Sequence, residues 1–395
     1  MKIRVPNIKL IEALNSVLKV VPDKNSVTIA TSTFMSVSFE NGGELRVVGC
    51  DIYYGVDARI DQIYIIETEG PSSFAINGQK LLALLKTKPL GLDVVLSSSK
   101  RGLSVGFYAN AGSLQYHFDS ANASEYPIAF FDTRGYFPIM KWENKNDFSG
   151  YINSLKQAMP FVSKDELKFA MCGVYHDYIY GNPRIVATDA HALYSERCPY
   201  LSECNSFILE KKLASIAISL LSDAESVSFQ KKNGDGKHVA GERVFFEAKG
   251  IRIWGPVVDA IYPKYQNVIP PKKDTIEIDR EILIEAIERA SIFCEKDGPQ
   301  IRMDLDPGAG CLWLYPNPVK EGVGEKISFT PESIFEKMTI AMNPAYFLIV
   351  LKSMYGEKIF IDFDGPCRGI KVWPHFDAKK NERYAILMPV MLNTV

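Results

Sequence analysis

The first apolar stripe of the chain recurs at helical spacing. Ile8, Ile11, Leu14 and Leu18 fall on one side of residues 7–21, with Lys9, Glu12, Ser16 and Lys19 on the other. That pattern predicts an amphipathic helix, which Pro22, Asp23, Lys24 and Asn25 bring to a stop. Strand-like runs follow at 27–30, 35–39 and 45–48, the last two joined by an Asn41-Gly42-Gly43 turn. A second helix is expected over 77–88, with Leu81, Leu82, Leu84 and Leu85 inward and Lys80, Lys86 and Lys88 outward. Strands at 92–96, 103–108 and 113–118 complete the pass, which closes on Ser124-Glu125-Tyr126-Pro127.

The order helix, strands, helix, strands then recurs twice. Helices are expected over 148–160, 209–221, 279–293 and 343–355, with strands at 185–188, 226–230, 244–248, 251–257, 359–363, 370–372 and 385–388. A repeat of about 130 residues is too long for a solenoid unit and long enough for each copy to hold its own core. The pattern predicts an α+β protein of three similar domains (1–135, 136–270 and 271–395), each an antiparallel sheet with two helices on one face. Linkers are expected near 132–146 and 270–275, and the polar, glycine-rich stretch 231–241 reads as a hairpin tip.

Composition narrows the class. The 395 residues are 47% hydrophobic and 23% charged, as in a globular protein. No apolar run approaches the roughly 18 residues of a membrane span, and the N-terminus lacks a signal-peptide core. Seven cysteines are scattered without CxxC spacing, which favours reduced thiols in the cytoplasm over a disulfide framework or zinc site. The formal net charge of −2 provides no global basic field, so any contact with nucleic acid must come from local clusters.

The densest candidate chemistry is the turn in IVATDAHALY (185–194), where Thr188, Asp189 and His191 sit between apolar runs. Hydrolysis there needs an activated nucleophile or a third metal ligand. His117, His176, His238 and His375 show no ligand spacing to it, and the chain contains no GxSxG, HExxH or Walker loop. Three readings stand: a metal-dependent hydrolase using Asp189 and His191, a turn whose polar side chains bond its own amides, and the rim of a binding pocket.

Four blocks carry a resemblance. They are 186–193 (VATDAHAL), 258–265 (VDAIYPKY), Val268-Ile269-Pro270, and 387–392 (LMPVML). Together they resemble, in order, the VATDGHRL, VDGxFPxYxxVxP and MPMRL motifs of the bacterial DNA polymerase III beta subunit, the sliding clamp family. Ser124-Glu125-Tyr126-Pro127 is similar to the close of that family's first domain. The resemblance spans essentially the whole chain. It implies a head-to-tail dimer ring of six similar domains around double-stranded DNA, held without sequence readout, and a non-catalytic processivity factor needing no metal or cofactor. It also implies partners (DNA polymerase, clamp loader and repair factors) that bind through short peptide motifs.

Residue by residue, the resemblance implies a partner-peptide pocket of Met171, Thr188, Ala190, His191, Ala192, Leu193, Pro263, Asn267, Val268, Cys367, Gly369, Ile386, Leu387, Met388, Pro389, Val390, Met391 and Leu392. Methionines and aliphatics suit a wall that admits several ligands. DNA-facing residues are expected at Lys9, Lys19, Lys24, Lys80, Lys86, Lys88, Lys156, Lys164, Lys211, Lys212 and Lys352, where phosphates need only loose cationic contact. Tyr116 and Phe118 are expected to meet Ile292 and Phe293 across the dimer interface. The chain departs from the family's pattern at Ala190 (usually Gly) and at Ala192, Asn267 and Met391 (often Arg), and Asn393-Thr394-Val395 extend past the usual end. Those departures keep open a divergent clamp paralogue with restricted partners.

Overall fold

The computed structural model describes residues 1–22, 33–38, 43–51, 53–61, 63–87, 91–99, 101–107, 115–121, 123–127, 134–179, 182–201, 206–232, 243–271, 274–319, 323–333, 335–375 and 382–391. The expected strand at 27–30, the Asn41-Gly42 step, Lys24, Lys88, most of the 231–241 hairpin tip, Leu392 and Asn393-Thr394-Val395 lie outside them.

Six α-helices form among the described residues: α1 (Asn7–Val17), α2 (Gly78–Leu85), α3 (Lys145–Ala158), α4 (Lys211–Leu221), α5 (Arg280–Ser291) and α6 (Pro344–Lys352). Each coincides with an expected helix. First helices begin at 7, 145 and 280, in nearly equal steps, and second helices at 78, 211 and 344, in equal ones. Side-chain caps set several starts. Asn77 Oδ1 accepts from Lys80 N at 2.9 Å, Asp279 Oδ1 from Ile282 N at 2.9 Å, and Asn343 Oδ1 from Ala345 N at 2.9 Å. Asn144 Oδ1 accepts from Asp147 N at 3.0 Å, so α3 starts three residues before the apolar pattern shows it. The buried stripe of α1 is Leu10, Ile11, Leu14 and Val17, and Ile8 is exposed. This corrects the expected stripe by part of a turn, because residue 10 rather than 8 faces the strands Glu44–Cys50 and Gly55–Asp61 against which α1 packs.

The chain forms two compact units, residues 1–149 with 212–257 and residues 150–211 with 258–395. In the first unit a five-stranded antiparallel sheet runs Tyr64–Glu67, Lys2–Pro6, Asp93–Ser99, Gly102–Phe107, Gln115–Asp119. A second sheet joins Tyr136–Trp142, Val227–Lys232, Arg243–Ala248 and Ile251–Val258 to Gly55–Asp61, Glu44–Cys50, Thr33–Ser38 and Ser73–Ile76. Its core gathers Phe34, Val48, Cys50, Ala75, Tyr126, Phe245 and Trp254. Tyr126, from the block closing the first pass, is buried there, stacked on Phe34 and donating its hydroxyl to Val48 O at 3.2 Å.

In the second unit one antiparallel ladder runs Phe207–Glu210, Gly173–Ile179, Asn182–Thr188, Ala192–Arg197, Arg383–Leu387, Ile370–Pro374, Lys358–Phe363, Asp274–Asp279. A further antiparallel set runs Met338–Met342, Gln300–Asp306, Cys311–Asn317, Glu325–Pro331. Ala192 stands opposite Leu387 and Glu196 opposite Arg383, so the strand after the VATDAH turn and the strand before the C-terminal methionines are direct neighbours. Beneath them lies a core of Val186, Leu193, Ile208, Val258, Tyr262, Tyr265, Phe360, Trp373, Tyr384 and Ile386. Burying one such aliphatic side chain contributes about 1.5–3 kcal/mol. Among the described residues no helix is long and apolar enough to cross a membrane.

Candidate functional site

The turn between Asn182–Thr188 and Ala192–Arg197 is built by its own side chains. Asp189 Oδ1 accepts from the backbone N–H groups of His191 and Ala192 at 2.9 and 3.0 Å. The Thr188 hydroxyl donates to Ala192 O at 2.8 Å and accepts from Ala190 N at 3.2 Å. Lys168 Nζ donates to Asp189 O at 3.0 Å, and the His191 ring stacks on Tyr346 with centroids 5.3 Å apart. The Asp189 carboxylate is therefore a structural acceptor, and no group of three metal-ligating side chains occurs among the described residues. Ala190, at the tip, has φ 79°, a left-handed conformation that suits glycine.

Four distant stretches converge beside this turn. Met171, Thr188, Ala190, His191, Ala192, Leu193, Pro263, Val268, Ile386 and Met388 line one cavity of about 180 Å³. Leu193 and Ile386 are buried and form its floor, while Val268 and Met388 are exposed at its mouth. Met388 N donates to His191 O at 2.9 Å, tying the C-terminal block to the turn. Opposite, the 3-10 turn Tyr265–Val268 is pinned by the Tyr265 hydroxyl, which donates to Asp177 Oδ2 at 2.7 Å. Burial pushes the Asp177 carboxyl above its ordinary range, the Tyr265 and Arg184 contacts opposing that shift. The lining is apolar with a few polar groups, as small-ligand and peptide sites are.

Not every expected pocket residue reaches the cavity. Gly369 is buried behind it, where an added Cβ would stand 3.0 Å from Met388 Sδ and 3.1 Å from Ile386 Cγ2. Leu387 is buried in the ladder opposite Ala192. Val390 donates its N–H to Ala341 O at 2.9 Å, Pro389 is half-buried, and Asn267, Cys367 and Met391 are exposed outside the lining. Two lining residues, Lys264 and Tyr265, escaped the sequence reading. Their signal was their place between Pro263 and Asn267 in one turn. His191 also borders a second cavity of about 530 Å³, shared with Lys164, Asp165, Lys168, Asn343 and Tyr346. Nothing in the local sequence joins residues 160–168 to 343–349.

The expected DNA-facing lysines fall into two groups. Lys19, Lys80, Lys86, Lys156 and Lys164 are exposed and Lys211 is half-buried. Lys9, Lys212 and Lys352 are engaged, with Glu12 at 3.3 Å, Asp51 at 2.7 Å and Glu288 at 2.7 Å. On α5 each acid meets a base: Glu281 pairs with Arg280, Glu285 with Arg289, Glu288 with Lys352. Of the expected interface residues, Tyr116 and Phe118 lie on Gln115–Asp119, an edge strand paired on one side among the described residues. Ile292 and Phe293 are exposed just past α5 and border a cavity of about 270 Å³ with Arg289, Leu314 and Pro316.

Comparison with known proteins matches this picture. A family model described as DNA polymerase III beta subunit, C-terminal domain, matches residues 266–390. The beta sliding clamp of Bacillus subtilis (strain 168) is 22% identical over 380 residues, 93% of this chain and 94% of the relative. That of Caulobacter vibrioides (strain NA1000 / CB15N) is 23% identical over 376 residues, with 93% and 94% covered. Among solved structures, the Caulobacter crescentus polymerase III beta superposes with a TM-score of 0.81 at 20% identity, covering 99% of this chain and 100% of that one. The DNA polymerase III subunit beta of Pseudomonas aeruginosa gives a TM-score of 0.82 at 19% identity, with the same coverage. Residues 266–390 thus match the C-terminal domain of the DNA polymerase III beta subunit, and the chain as a whole is similar in sequence and fold to the bacterial sliding clamps.

Proposed function

We propose that the protein is a DNA sliding clamp: a cytoplasmic, non-catalytic ring that encircles duplex DNA and tethers a polymerase to its template. The observation that carries this reading is the fold, shared with sliding clamps across 99% of the chain. The ring would be a head-to-tail dimer of three clamp domains per subunit, divided at 1–135, 136–270 and 271–395, and the regular spacing of helix starts supports that division. A heterologous contact of this kind closes only at the right rotation. The edge strand with Tyr116 and Phe118 and the cavity beside Ile292 and Phe293 are complementary in kind, one an aromatic edge and the other an apolar recess.

Sliding needs contacts that hold phosphates without holding a register. The exposed lysines on or beside α1 to α3 supply these, whereas α5 and α6 carry balanced charge. Processivity then follows from effective concentration, because a polymerase leashed to the ring rebinds before it diffuses away. Partners would dock by a short apolar motif in the cavity of Leu193, Val268, Ile386 and Met388.

The test is topological. Loaded by the host's clamp loader and ATP onto a nicked circle, the protein is expected to stay bound, and to run off once the circle is linearised. Failure of retention, with a loader that loads another clamp, overturns the reading.

A further inference from the structure

The cavity offers its ligand few uncommitted polar atoms. The Thr188 hydroxyl is engaged by Ala192 O and Ala190 N, and the Tyr265 hydroxyl by Asp177. Lys264 differs. It is exposed, it lines the same wall, and its ammonium makes no ion pair or hydrogen bond among the described residues. Its backbone is held in place, because Lys264 opens the 3-10 turn that Tyr265 anchors to Asp177 and that Ile269 N closes on Gln266 O at 3.3 Å. The acids of the adjoining cavity are engaged by backbone donors. Asp165 Oδ1 accepts from Leu167 N at 3.0 Å, and Asp189 Oδ1 from its own turn.

We propose that Lys264 is a specificity-determining residue of this groove, selecting peptides that carry a carboxylate beside the apolar side chains filling the cavity. The proposal rests on the reading of the cavity as a peptide site. An ammonium carried on a held turn beside an apolar recess rewards a matching acid and leaves a neutral amide without that gain. Lys264 is the one lysine or arginine in the cavity lining among the described residues, so charge selection there falls to it.

The probe is a set of fluorescein-labelled pentapeptides of leucine, phenylalanine and glutamine, with one aspartate or one asparagine stepped through each position. Anisotropy titrations use the full-length chain as wild type, Lys264→Met and Lys264→Arg. At one position the aspartate peptide is expected to bind wild type about fivefold tighter than its asparagine twin, less so at high salt. Lys264→Met should abolish that preference and Lys264→Arg retain it. Equal binding of every aspartate–asparagine pair to wild type, or a preference that survives Lys264→Met, overturns the proposal and leaves the groove standing. Binding of no peptide to wild type overturns the groove reading itself.

Discussion

Ala190 sits in the left-handed region at φ 79° with a methyl group that borders the cavity of Leu193 and Ile386. The two Asp189-bonded amides and the Thr188 contact on either side hold it there, against a cost that glycine would not incur. Ala190→Gly is expected to stabilise the protein by about 0.5–1 kcal/mol, read as a higher urea midpoint. A loss of stability of that size would show that the turn is not strained. His176 is the other telling residue. Its Nδ1 lies 3.1 Å from Val174 O, which can only accept, so Nε2 accepts from the Tyr151 hydroxyl at 3.0 Å. Burial lowers its pKa to about 3. The unfolded chain, with an ordinary imidazole, takes up a proton first as pH falls below about 6.5, so the folded state loses stability from there down toward pH 3. The advantage of wild type over His176→Gln should therefore shrink by about 2 kcal/mol between pH 8 and pH 5. A constant difference in denaturation midpoint would contradict a neutral buried ring.

Among the elements, the pairing of Ala192–Arg197 with Arg383–Leu387 does the most to create the site, since it sets Leu193 beside Ile386 and His191 beside Met388. Reciprocal charges lock its far end. Arg383 Nε donates to Glu196 Oε1 at 3.0 Å, and Arg197 pairs with Glu382 at 3.1 Å. Glu196 also accepts from the Tyr194 hydroxyl at 2.9 Å. The Glu196–Arg383 pair is mostly buried, so Glu196→Ala strands an arginine without its counter-ion and is expected to cost about 3 kcal/mol. Chemical denaturation of the variant measures it, and a change below a few tenths would mean that the pair is dispensable to the ladder.

At the scale of the whole molecule, the proposed ring depends on closure. Among the described residues Gln115–Asp119 is paired along one edge alone, an arrangement natural sheets rarely leave uncovered, and Ile292 stands 76% exposed. Both become reasonable if a second copy covers them. Ile292→Asp places a charge in that contact and should convert a dimer to a monomer in sedimentation experiments, with retention on circular DNA lost in parallel. A variant that stays dimeric would move the interface elsewhere.

The sequence alone determined the six helices, because apolar periodicity and the capping residues Asn77, Asp279 and Asn343 are local signals that burial merely completes. It also determined the turn at 188–191, whose hydrogen bonds lie within five residues, and its ordered motifs carried the resemblance to sliding clamps. The tertiary structure decided which motif residues share a cavity: Ile386 lines it while Leu387, one residue on, is turned to the other face, by the two-residue period of a strand whose register is set only by its neighbour. It alone brought Lys264 to the wall and paired Lys352 with Glu288. Charge and apolar character are written in the residue, whereas the partner a side chain meets across the chain is fixed by long-range packing that local pattern does not contain.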